Sequence, residues 1–107
     1  MKTYIIDLDE TLAISISPVP GDFEHNLDWQ LEHKVCNQDL KDKIIKAKDK
    51  GNRIIIYSAR SDTDWRMRQT REWLEKNDVP YNQIILGKPK GDKYIDNDSL
   101  RAEEWNP

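Results

Sequence analysis

Cysteine is all but missing: Cys36 stands alone, so no internal disulfide can form, and such usage fits a reducing compartment. Long apolar runs are missing too, since no stretch approaches the roughly 20 residues that a bilayer span requires. The first ten residues pass through Tyr4, Ile5 and Ile6 straight into acids, which lacks the basic-then-apolar order of a secretory signal. A cytoplasmic location, with no membrane partner, is the expectation. Positive charge is also short. With 17 Lys and Arg against 20 Asp and Glu the net charge is -3, which offers no general attraction to nucleic acid or anionic membranes and leaves any phosphate binding to local groups. Repeats and low-complexity segments are absent.

What is present reads as one domain over residues 1–107. That length supports a single modest core, and 36% apolar against 35% charged residues lies on the polar side of globular usage. Tyr4 to Ile6 and Ile54 to Tyr57 are short, β-branched and bounded by polar residues, as buried parallel strands are. Ile84 to Leu86 and Tyr94 to Ile95 read as shorter strands. Leu40, Ile44, Ile45 and Ala47 share a face of a helix from about Gln38 to Lys50, closed by Gly51. A second helix runs from about Thr63 to Asn77, capped by Ser61 or Asp62, with Trp65, Thr70, Trp73 and Leu74 partly on one face; Pro80 blocks its continuation. The alternation predicts an α/β fold: an open, mostly parallel twisted sheet with helices on both faces. Residues 13–37, carrying Pro18, Pro20, Gly21 and Trp29, are too long for a simple connector and are expected to form a loop or flap over the site.

Each apolar strand ends on a polar group: Asp7, Ser58 and Asp96. In open α/β sheets the carboxyl ends of parallel strands converge on one crevice, so these residues should meet. Carboxylates brought together raise each other's pKa unless a cation lies between them. Oxygen ligands with no Cys or His partner favour a hard ion, Mg²⁺.

The run "DLDETLA" resembles the DxDxT first motif of the haloacid dehalogenase superfamily of phosphohydrolases. "IIIYS" ending in Ser58 is similar to its second motif, "GKP" with Lys88 to its third, and "YIDND" to its acidic fourth. More narrowly, "SAR", "WLEKNDVPYNQIILGKP", "YID" and "LRAEEW" resemble the small phosphatases associated with capsular polysaccharide biosynthesis. The resemblance implies a Rossmannoid core without a separate cap domain. It implies a Mg²⁺-dependent phosphomonoesterase acting on a small phosphate ester, a sugar or polyol phosphate. By carry-over, Asp7 would be the nucleophile that forms an aspartyl-phosphate, and Asp9 the acid-base residue, whose pKa should be raised relative to Asp7. Asp7, the Asp9 carbonyl and Asp96 would ligate Mg²⁺. Ser58 would hydrogen-bond the transferred phosphoryl group, Lys88 would neutralise its charge, with Lys90 and Lys93 as competitors, and Thr11 would fix the turn. Arg60 could grip the rest of the substrate, and Glu10 is read as incidental. The fourth motif of the narrower family has adjacent Asp residues, whereas Asn97 follows Asp96 here, so Asn97 or Asp98 would take the second place.

Blander readings compete. "DLDET" alone would pass as a helix start with acids at the positive end of the dipole, but four motifs in order count against coincidence. His25 and His33 read as surface residues, Trp65 and Trp73 as core, and Trp29 as the aromatic nearest a substrate. A nucleic-acid 3′-phosphatase shares the motifs but is disfavoured by the acidic balance. A receiver-like module would hold phosphate on Asp7 without using Asp9, and a dead metal-binding scaffold is the reading Asn97 leaves open. A homo-oligomer would close a site that has no cap.

Overall fold

The structure is a computed structural model that describes residues 1–15 and 31–107, the side chain of Glu32 excepted. Three parallel strands form the main sheet in the order β1 (Thr3–Asp7), β4 (Arg53–Tyr57), β5 (Gln83–Ile85). A two-stranded antiparallel ladder, β2 (Ala13–Ser15) with β3 (Lys34–Cys36), lies between β1 and the helix α1 (Gln38–Asp49); α2 (Asp64–Lys76) joins β4 to β5. The chain is thus an open α/β domain, as its alternating pattern requires. No helix among the described residues is long and apolar enough to cross a membrane.

The sequence of β4, Arg-Ile-Ile-Ile-Tyr, explains its central place, because β-branched side chains suit a strand paired on both edges. Register pairs Tyr4 with Ile54 and Ile6 with Ile56, so these four share a face. Ile54 and Ile56 are fully buried there, with Ile44, Leu74, Leu8 and Leu12 in the same core. On the opposite face Ile5 is 61% and Ile85 38% exposed, so the two sides of the sheet are unequally covered. Trp105 near the C-terminus packs on Tyr4, ring centroids 4.9 Å apart.

The helices start and stop on local chemistry. The Asn37 side chain accepts from the Leu40 amide at the start of α1, while Gly51, at φ 85°, takes the left-handed position that ends it. Leu40, Ile44 and Ala47 are its buried residues. In α2 the cap is Thr63, not Ser61 or Asp62, and it accepts from the Arg66 amide. Its buried residues are Arg66, Thr70, Trp73 and Leu74, whereas Trp65 is 48% exposed with the Arg66 guanidinium 4.2 Å from its ring centroid. Trp65 is therefore not core, because it sits in the first turn, one residue off the buried face.

Two further expectations are corrected. Tyr94 and Ile95 form no strand. A two-residue apolar run between charged neighbours buries too little to recruit backbone pairing, and Ile95 is 96% exposed. The 13–37 connection is not loop throughout, since its ends make the β2–β3 ladder. Trp29 and His25, and a flap over the site, lie outside the described residues.

Candidate active site

The turn after β1 is organised by one carbonyl. Leu8 O accepts from the amides of Thr11, Leu12 and Ala13 at 3.3, 3.0 and 2.8 Å, and the buried Leu8, Leu12 and Ala13 anchor it in the core. Glu10 pays the conformational cost, with φ 61°, a left-handed position that branched or bulky residues rarely adopt. This tight turn follows Asp7 directly and carries Asp9 within it. Beyond β4, Ser58 N donates to Ile85 O and Lys88 N to Ser58 O, so pairing runs past the strand ends and sets Lys88 beside Ser58.

Two clusters result. In the first, Asp7 accepts from the Thr11 hydroxyl at 2.7 Å on Oδ2 and from Lys88 Nζ at 3.1 Å on Oδ1. Its side chain is 38% exposed, so a ligand can reach it. Lys88 is the lysine that reaches Asp7, with its ammonium 4.1 Å from the Tyr94 ring centroid and 5.3 Å from that of Tyr57. The Tyr94 hydroxyl accepts from Gly91 N and donates to Pro89 O, which folds the 88–94 loop back onto that lysine. Lys90 and Lys93 are exposed.

The second cluster surrounds Asp9, whose side chain is only 9% exposed. Oδ1 accepts from Arg60 Nη2 at 2.8 Å and Lys34 Nζ at 3.0 Å, while Oδ2 accepts from Ser58 Oγ at 2.9 Å and Arg60 Nε at 3.1 Å. Burial by itself would raise this carboxyl, but hydrogen bonding and charge from Arg60 and then Lys34 outweigh it and hold the pKa below the usual carboxylate range. The expected upward shift is thus reversed. Ser58 Oγ also accepts from Arg60 N, so the hydroxyl is spent on orienting Asp9 and the Arg60 backbone. Arg60 is not poised to hold a distant part of a substrate: its side chain is fully buried against Asp9.

Asp96 is exposed, and its own hydrogen bonds are local: its Oδ1 accepts from Asp98 N and its carbonyl from Ser99 Oγ. Asn97 and Asp98 are likewise exposed. Among the described residues no group of three His, Cys, Asp or Glu side chains could hold a metal ion. Asp7 and Asp9 carry cationic partners of their own, Lys88 for the first and Arg60 with Lys34 for the second.

Two residues escaped the sequence reading. Lys34 contacts both Asp9 and Glu10, at 3.0 and 3.1 Å, with its side chain 6% exposed. Glu10 is not incidental, because it also accepts from the Ser15 hydroxyl at 2.5 Å. Burial raises the Glu10 carboxyl, and Ser15 and Lys34 overcome this and lower it. A signal existed: three acids crowd into Asp7–Glu10, and Lys34 is the first Lys or Arg after Lys2.

Fold and site together define an open α/β domain with a carboxylate-and-cation centre at its strand ends. A crystal structure of an MCSG target from Vibrio cholerae is similar over 97% of this chain and 86% of its own, with 26% identity and a TM-score of 0.74. Part of a Pnkp1/Rnl/Hen1 complex is similar at 20% identity and TM-score 0.61, over 95% of this chain and 32% of the other. A Pnkp1/Rnl/Hen1 RNA repair complex gives 19% identity and 0.61, over 96% and 30%. The latter two likenesses concern the fold alone. No family model matches the chain, and no curated protein does.

Proposed function

We propose that the protein is a phosphomonoesterase that hydrolyses a small phosphorylated metabolite, a sugar or polyol phosphate, through an aspartyl-phosphate on Asp7. The observation that carries this reading is the Asp7–Thr11–Lys88 cluster, in which an accessible carboxylate is held by one hydroxyl and one ammonium drawn from 81 residues away. Thr11 and Lys88 fix the carboxylate, and Lys88 also supplies positive charge where phosphoryl oxygens would gather.

In the first half-reaction an Asp7 oxygen bonds to phosphorus as the ester P–O bond breaks, and the leaving alkoxide takes a proton. In the second, water adds to phosphorus, the Asp7–phosphorus bond breaks, and the proton from water passes to a base. Asp9 is ionised, as a base in the second half must be, but its lowered pKa and the cations on it make it a weak one until a cation lets go. To serve the first half it must gain a proton and let go of a cation. Mg²⁺ enters the proposal from the order of the motifs, as does a place in capsule polysaccharide chemistry.

The test is phosphate release from a panel of sugar, polyol and aryl phosphates and a 3′-phosphorylated oligonucleotide, with Mg²⁺, with chelator, and with Asp7→Asn. Release by the wild type and a loss of at least about a thousandfold in Asp7→Asn are expected, as for removal of a nucleophile. A folded wild type that releases phosphate from no member under either condition sinks the reading. Preference for the oligonucleotide moves it to nucleic-acid ends.

A further inference from the structure

We propose that Lys34 is a positioning residue for phosphoryl transfer, which ties the β2–β3 ladder to the Asp9 carboxylate through a three-way contact with Asp9 and Glu10. The kinetic part rests on the phosphatase reading; the structural part does not.

The contact has the features of a built junction. Lys34 opens β3 and pairs in register with Ser15, the last residue of β2. Its ammonium is almost fully withdrawn from water yet meets two carboxylates, Asp9 at 9% and Glu10 at 57% side-chain exposure. Glu10 completes the loop by accepting from both Oγ and N of Ser15. The ladder therefore grips the turn from both strands, from β2 through Ser15–Glu10 and from β3 through Lys34. Arg60, from beyond β4, meets the same carboxylate, and its Nη2 and Lys34 Nζ share Oδ1. With one cation from the ladder and one from beyond β4, Asp9 joins two elements of the fold. Without Lys34 it would keep Arg60 and Ser58 but lose the restraint from the ladder.

Such a restraint matters because misplacing a reacting group by about 1 Å is enough to cost about a hundredfold in rate. Lys34→Met keeps the length of the stem and removes the charge and all three donors. It is expected to lower kcat by about tenfold to a hundredfold while KM stays within about twofold, since Lys34 acts on Asp9 and not on the bound ester. Lys34→Arg should recover part of the loss. Glu10→Gln should produce a smaller loss of the same kind.

The experiment pairs these kinetics with amide hydrogen exchange of the same proteins. Glu10 N, Leu12 N and Ala13 N are bonded within the turn, and Asn37 N bonds Leu12 O across to the ladder. In Lys34→Met their exchange should accelerate at least about tenfold, while the central amides of β4 keep their protection and show that the fold survives. An unchanged kcat overturns the proposal, as does a loss confined to KM, which would put Lys34 on the substrate. If the wild type shows no phosphatase activity, the phosphatase reading falls by itself. The exchange data then decide the coupling, and unaltered protection at Glu10–Ala13 overturns it.

Discussion

Replacing Arg60 with Met separates two roles that the same residue could fill. The guanidinium is fully buried and gives Asp9 three contacts, at 2.8, 3.1 and 3.2 Å, with a fourth to Gln69 Oε1 at 3.4 Å. Met fills much of the volume but leaves Asp9, 9% exposed, short of its main counter-charge. Removing one partner of a buried ion pair costs about 3–5 kcal/mol, and since Lys34 and Ser58 remain on Asp9 the lower end, about 3 kcal/mol, applies. With a urea slope of about 2 kcal/mol per molar, that lowers the unfolding midpoint by about 1.5 M. The assay is urea unfolding of the wild type, Arg60→Met, Asp9→Asn and the double variant. Because the two side chains are in contact, the double variant should fall short of the sum of the single costs by about 2 kcal/mol. A midpoint shift below about 0.5 M, or costs that simply add, refutes the assignment of Arg60 to Asp9. A raised KM with unchanged stability would place the guanidinium on substrate instead.

Two further outcomes follow from the same contacts. Tyr94→Ala removes the ring beside Lys88 and the two hydrogen bonds that fold its loop; a cation–π contact of about 0.5–1 kcal/mol corresponds to a fall in kcat/KM of about twofold to fivefold, and Tyr94→Phe should keep the ring's share, as steady-state kinetics would show. Stability should fall in acid through Asp9. Its folded pKa lies below the ordinary value, so its contribution is complete above that value and is lost as pH drops through the folded pKa, below about pH 4. Asp9→Asn should flatten the acid limb of a plot of unfolding midpoint against pH, and an unchanged limb would show that Asp9 is not held ionised.

The parallel core was legible because its determinants are local. Ile54–Tyr57 cannot be other than a buried strand, Gly51 stops α1 at its one left-handed position, and the polar residues after β1 and β4 had to converge once the strands were parallel. Tyr94–Ile95 misled because a short apolar pair has the look of a buried strand but buries too little to sustain one alone. Asp9 misled for a different reason. Its pKa depends on Lys34 and Arg60, which lie 25 and 51 residues away, and pairwise charge placement across such distances leaves no periodic trace. Glu10 passed as incidental because a left-handed φ at a Glu has no sequence mark, whereas at Gly51 it has one.

The pairing of Ser15 with Lys34 also bears on how this domain tolerates change. The chain departs from the ladder and returns to it at adjacent positions, so the entropy of closing the intervening segment is settled at its base. Closure entropy grows only with the logarithm of length, and doubling such a segment costs about 0.6 kcal/mol. The closure entropy of a longer connection between Ser15 and Lys34 is therefore a small addition, and the Asp7–Ala13 turn is tied to the ladder itself through Ser15–Glu10 and Lys34–Asp9.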